Sequence, residues 1–152
     1  MRKWLEPPEG SYLRHEVEVD VRFQEVDPLQ VVWHGHYVTY FEDARVAFGR
    51  RYGISYEQLR AAGLAAPIVR LECDYLAPAR FGDVLVISVR LYRRESAKLD
   101  FLYTVSRKAD SAVLAVGRTL QVFSDVEGNM VLTTPAILRD TYDKWAAEMI
   151  DE

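Results

Sequence analysis

The feature that most limits what this chain can fold into is a change in hydrophobic spacing partway along it. From Tyr37 to Arg51 the residues Tyr37, Val38, Tyr40, Phe41, Ala44, Ala47 and Phe48 fall at helical intervals. The apolar stripe is broad, so the spacing predicts a deeply buried helix of about four turns. Downstream of residue 66 the spacing becomes strand-like, with polar and apolar residues alternating along long runs. One buried helix followed by consecutive strands predicts an α+β chain with a mostly antiparallel sheet.

The flanking signals agree. Val17, Val19, Val21 and Phe23 alternate with charged residues over 15–23, which predicts a half-buried strand with His15 among its solvent-facing positions. Asp27-Pro28 breaks that strand, because proline has no N–H to donate to a ladder. Gly53 is a stop for the long helix. Ser55-Tyr56-Glu57-Gln58 fits a capping box and predicts a short helix over 56–62, ending at Gly63. Strands are expected over 66–76, 84–92, 98–107 and 112–124, with Pro67 marking an edge or a first residue. In the second of these, Leu85, Ile87, Val89 and Leu91 make the more apolar face. Phe81-Gly82-Asp83 and Glu127-Gly128-Asn129 read as turns, and 98–107 joins 112–124 through Ala109-Asp110-Ser111. Thr134 as N-cap with Pro135 at the first helical position opens a C-terminal helix running to about Ile150. Residues 1–10, with two prolines and a glycine, read as a loose leader to a single domain over 1–152.

Composition narrows the function. At 152 residues the chain suits one domain. Its 23 acidic and 19 basic residues give a net charge of −4, which argues against nucleic acid as a main partner. The single cysteine, Cys73, cannot form an internal disulfide and reads as a small core residue. No run approaches the ~20 apolar residues of a membrane span, and no apolar stretch follows the basic N-terminus as a signal peptide would require. A cytoplasmic protein is expected.

Three segments carry a family resemblance. The first is Asp27-Pro28-Leu29-Gln30-Val31-Val32-Trp33-His34-Gly35-His36-Tyr37, the second runs from Pro67-Ile68-Val69 to Phe81-Gly82-Asp83-Val84-Leu85, and the third is Tyr92-Arg93-Arg94-Glu95-Ser96. Together they resemble the hotdog-fold acyl-CoA thioesterases of the 4-hydroxybenzoyl-CoA thioesterase family, which includes the Tol-Pal-associated enzymes. The resemblance implies a hotdog fold, with an antiparallel sheet wrapped around the long helix. It also implies a homodimer or homotetramer with active sites at the dimer interface, and a small-molecule acyl-CoA as substrate. Coenzyme A would be part of that substrate, with no separate cofactor.

The residues fit that chemistry. Thioester hydrolysis needs a nucleophile or base and an oxyanion stabiliser, while the thiolate leaves readily. Asp27 matches the family's catalytic aspartate, and His34 the position where the Tol-Pal-associated enzymes also carry histidine. The backbone N–H of His34, with help from Gly35 or His36, would polarise the carbonyl at the start of the helix. Tyr37 is expected beside the substrate; Trp33, Tyr37, Tyr40 and Phe41 are candidates for an acyl pocket, with helix core as the equal alternative. Arg93, Arg94 and Ser96 are candidates for gripping the nucleotide phosphates of coenzyme A. His34 and His36 alone do not make a metal site, so no metal is expected. Glu42 is a second candidate carboxylate, its simpler reading being an i,i+3 pair with Arg45. Two other functions fit the same fold: an acyl-CoA hydratase or dehydratase, and a non-catalytic acyl-ligand-binding protein.

Overall fold

The computed structural model describes residues 3–151. Strand β1 (Tyr12–Asp20) is followed by a 3-10 turn at Phe23–Glu25 and helix α1 (His36–Tyr52). Helix α2 (Tyr56–Ala61) leads into β2 (Leu64–Ala65), β3 (Ile68–Tyr75) and β4 (Val84–Tyr92). Then come β5 (Lys98–Arg107), β6 (Val113–Asp125), β7 (Met130–Val131) and helix α3 (Ala136–Lys144). The seven strands form an antiparallel sheet in the order β1-β4-β5-β6-β2, with β3 and β7 also paired to β6.

Helix α1 lies against the inner face of this sheet. Its stripe of Tyr37, Tyr40, Phe41, Ala44, Phe48 and Tyr52 is buried, as are Leu85, Ile87, Val89 and Leu91 on the expected face of β4. Phe41 stacks on Tyr103 of β5 at 4.5 Å, and Phe48 meets Phe101 edge-on at 5.3 Å. On β6, Gly117 sits under the Phe41 ring, and a Cβ there would overlap it. The helix therefore touches β1, β4, β5 and β6, and glycine allows the closest approach. The helix stops at Gly53, whose φ of 80° is the left-handed conformation that glycine adopts without cost. The capping box at Ser55 forms as expected, with Gln58 N–H donating to the Ser55 hydroxyl.

Several expectations fail for long-range reasons. Phe23 is not in the strand; it lies in the 3-10 turn and is 77% exposed, because β1 ends at Asp20. His15 is half-buried on the same face as Val17 and Val19, and burial, then Arg51, lowers its pKa. The strand expected over 66–76 does form, as β3 directly after Pro67, but a short β2 that was not expected precedes it. Thr134 is not the N-cap of α3; Pro135 is, and α3 ends at Lys144. The chain then turns through a short 3-10 segment so that Ile150 exchanges two backbone hydrogen bonds with Tyr12, both at 2.9 Å, covering one end of β1. The leader is not loose over residues 3–5: Leu5 is fully buried, and Trp4 packs its ring under the Arg70 and Arg118 guanidiniums. Met1 and Arg2 lie outside the described residues.

Replacing Gly117 with alanine should force Phe41 off Tyr103 and cost about 1–3 kcal/mol. Thermal denaturation should show a melting temperature lower by several degrees; an unchanged value would mean that the helix does not need this close approach.

Candidate active site

The loop from Val21 to Gly35 is held by a buried carboxylate. Glu25, 5% exposed, accepts from the Arg22 N–H at 2.8 Å and from the Tyr40 hydroxyl at 3.2 Å. Its carbonyl accepts from the Trp33 N–H at 2.9 Å. Burial, then the Glu25 carboxylate, push the Tyr40 hydroxyl far above its ordinary range, so it remains a donor. Between these anchors the chain makes a tight turn. The Asp27 N–H donates to Val31 O at 2.9 Å, and the Gln30 N–H donates to Asp27 O at 2.8 Å. Gln30 takes a φ of 64°, a left-handed conformation that a non-glycine residue holds only when its surroundings fix it. Asp27 Oδ1 accepts the Leu29 N–H at 2.8 Å, which orients the carboxylate. Among the described residues nothing donates to Oδ2.

Asp27 and His34 line one groove of about 350 Å³ with Val31, Val32, Tyr37 and Tyr75, closed by Leu76, Ala77 and Pro78. The Tyr37 hydroxyl accepts the Ala79 N–H at 3.2 Å, and burial raises its pKa. The Tyr75 hydroxyl donates to His34 O at 2.7 Å. Burial, then Cys73, push that hydroxyl up to about 12, so it stays protonated at physiological pH. Because a peptide is planar, this bond also fixes the direction of the Gly35 N–H. The N–H groups of His34 and Gly35 make no backbone hydrogen bond among the described residues. The His36 N–H does, donating to Trp33 O at 2.9 Å, so it is not the oxyanion donor that its position suggested. The free N–H groups thus cluster just ahead of α1, at the positive end of its dipole.

Trp33 covers this turn. Its ring lies 4.7 Å from the His34 ring and 5.5 Å from the His36 ring, and a Cβ on Gly35 would overlap it. Among the described residues no cluster of three or more His, Cys, Asp or Glu side chains is placed to hold a metal ion. Tyr40 and Phe41 are core residues, 1% and 0% exposed, and line no pocket with Asp27. Glu42 is exposed, and its pair with Arg45 does not form; Arg45 turns into the core instead.

The arginine pair lies elsewhere. Arg93 and Arg94 follow the last residue of β4, whereas Asp27 packs near its first, roughly 30 Å away along nine residues of strand. Arg94 pairs with Asp100, which is 0% exposed and also accepts from Arg118 at 2.8 and 2.7 Å. Arg93 lies over the Tyr142 ring at 5.0 Å. Both arginines line a groove of about 560 Å³ with Ser11, Glu95, Thr134, Arg139 and Tyr142. Ser96 is exposed and outside that lining. One chain therefore joins Asp27, His34, Gly35 and Tyr37, and leaves Arg93, Arg94 and Ser96 apart from them.

Comparison with known proteins decides the family. A model of the thioesterase-like superfamily matches residues 21–145. The chain belongs to that superfamily. Acyl-CoA thioester hydrolase YbgC of Shigella flexneri is 29% identical over 70% of this chain and 79% of its own. A solved hypothetical protein from Thermus thermophilus is 34% identical, with a TM-score of 0.74 over 87% of this chain and 97% of that one. A 1,4-dihydroxy-2-naphthoyl-CoA thioesterase from Synechocystis, at 19% identity, shares the fold with a TM-score of 0.77 over 89% and 98% of the two chains. The fold is thus the hotdog fold of this superfamily, as the three sequence segments implied. The residue missed from sequence is Tyr75. Its only signal was an aromatic residue at the end of the strand that pairs with β6.

Proposed function

We propose that the groove ahead of α1 is where an acyl-CoA thioester is hydrolysed to a free acid and coenzyme A. The chain is an acyl-CoA thioesterase, and the observation that carries the site is one oriented carboxylate beside unengaged N–H groups at a helix start. Asp27 Oδ2 either attacks the thioester carbon or takes a proton from the water that does. The His34 and Gly35 N–H groups hold the oxyanion as it forms. Collapse of that intermediate expels the coenzyme A thiolate, which needs no strong general acid; on the first route a water then hydrolyses the acyl-Asp27 anhydride, releasing the acid and restoring the carboxylate. The His34 ring, held by Trp33, places water or substrate, and Tyr37 bounds the acyl side. The reaction uses water and no separate cofactor. Asp27→Asn should lower kcat/KM for acyl-CoA by about 10²–10⁴-fold with an unchanged melting temperature. Thiol release at the wild-type rate would remove Asp27 from the chemistry.

The functional unit is a homodimer or a larger even assembly. Among the described residues β3 pairs only with β6, and on this edge strand Ile68, Val69, Leu71, Tyr75 and the adjoining Leu76 are 37–57% exposed. An apolar edge strand left open is an aggregation hazard unless a second copy covers it. Tyr75 belongs both to this edge and to the groove, so a copy seated there would complete the active site. Val69→Asp should shift the protein to a monomer in sedimentation velocity and lower its activity; an unchanged assembly would exclude this edge.

A second copy is also what could carry arginines towards a substrate bound at Asp27. Arg93 and Arg139 have no carboxylate partner among the described residues, which leaves both free for the phosphates of coenzyme A. Arg93→Glu should raise KM for acyl-CoA and leave the kinetics of an acyl-N-acetylcysteamine thioester unchanged. Equal effects on both substrates would separate Arg93 from the nucleotide. No helix among the described residues is long and apolar enough to cross a membrane, and a chain with one cysteine has no internal disulfide to form, which fits a cytoplasmic setting.

A further inference from the structure

Arg45 is a buried charge that the proposed chemistry does not use. It is 8% exposed on α1, nine residues beyond His36 and about 13 Å further along the helix. Nε donates to the Tyr56 hydroxyl at 3.0 Å and Nη1 to the Tyr103 hydroxyl at 3.1 Å. A guanidinium has five N–H donors, so this leaves three. Among the described residues no carboxylate pairs with it. Its phenol partners do not neutralise it, since burial raises the Tyr103 pKa and keeps that hydroxyl protonated. Burying a guanidinium without an anion is costly.

Arg45 lines a cavity. A space of about 150 Å³ lies between α1, α2 and the inner face of β5 and β6. Ile54, Leu59, Leu99 and Phe101 give it apolar walls, and Arg45 and Gln121 are its buried polar residues. Gln121 donates through Nε2 to Ala66 O at 2.6 Å, while its Oε1 has no partner among the described residues. An acceptor there disfavours an anion, so Arg45 is the anchor for negative charge. At the rim stand Arg50 and the exposed Glu57. The Glu57 carboxylate is engaged by its own backbone N–H and by Ser55, which lower its pKa. None of these residues lines the Asp27 groove, and the Phe41–Tyr103 stack belongs to the packed core between α1 and the sheet.

We propose that this cavity binds a small monocarboxylate, its carboxylate on Arg45 and its apolar body against Leu99 and Phe101. The volume sets the class. A cavity of about 150 Å³ takes a body the size of benzene, which admits benzoate or a short branched acid and excludes a coenzyme A ester or a long acyl chain.

Sodium benzoate titrated into the full-length protein by isothermal calorimetry tests this. Saturable binding at one benzoate per chain is expected. Arg45→Gln should weaken it at least about tenfold, the loss of a charge-assisted pair. Val46→Trp, at the cavity wall, should weaken it as much by filling the space, and it decides the matter if the Arg45 variant does not fold. Asp27→Asn should leave the affinity unchanged. Absence of saturable binding overturns the proposal, as does equal affinity for benzyl alcohol, which has the same body without the charge. Undiminished binding in either folded variant also overturns it, and would place the acid in the Asp27 groove or on the surface.

Discussion

The close seating of α1 on the sheet is the contact on which the rest of the molecule depends. Phe41 fits between the Tyr103 ring and the bare backbone of Gly117, which sets how near the helix comes to β5 and β6. That spacing lets Tyr40 reach Glu25 and lets Tyr37 reach the Ala79 N–H. Through those two hydroxyls the buried helix positions the two segments that form the groove, residues 25–35 and 75–79. Side chains in a dense interior transmit position well, so the geometry around Asp27 follows from packing several ångströms away.

The site itself is economical. Asp27 Oδ1 is occupied by the Leu29 N–H, and among the described residues nothing donates to Oδ2, the atom to which the proposed chemistry falls. The proposed oxyanion donors are backbone groups, fixed by Tyr75 through the His34 carbonyl and by the start of α1. Preorganised backbone dipoles need no reorganisation as charge develops, which is where electrostatic stabilisation is most effective. Trp33 fills the space above Gly35, so the turn that presents the N–H groups is covered on its solvent side.

Elements whose signal is local were legible in the sequence. The apolar stripe of α1, the two faces of β4 and the capping box at Ser55 depend on residues a few positions apart, and they appear where the spacing put them. The grouping of Asp27, His34, Gly35 and Tyr37 was legible for the same reason, since they lie within eleven residues of chain. Where partners are distant in sequence the reading failed. Helix α3 stops early because Ile150 is needed at the edge of β1, and the leader is docked because Arg70 and Arg118 hold Trp4. Arg45 looked like half of a surface pair with Glu42 until Tyr103, 58 residues away, drew it inwards.

The sequence by itself determined the α+β order and the family motif, and singled out Asp27 as the candidate carboxylate, because periodicity and short motifs are properties of neighbouring residues. Only the tertiary structure decided that Tyr75 joins the site, that Arg94 is committed to the buried Asp100, and that Arg93 lies at the far end of β4 from Asp27. These outcomes depend on strand register and on the distance spanned by a nine-residue strand. No spacing along the chain encodes them, because they arise when the antiparallel sheet folds its ends apart.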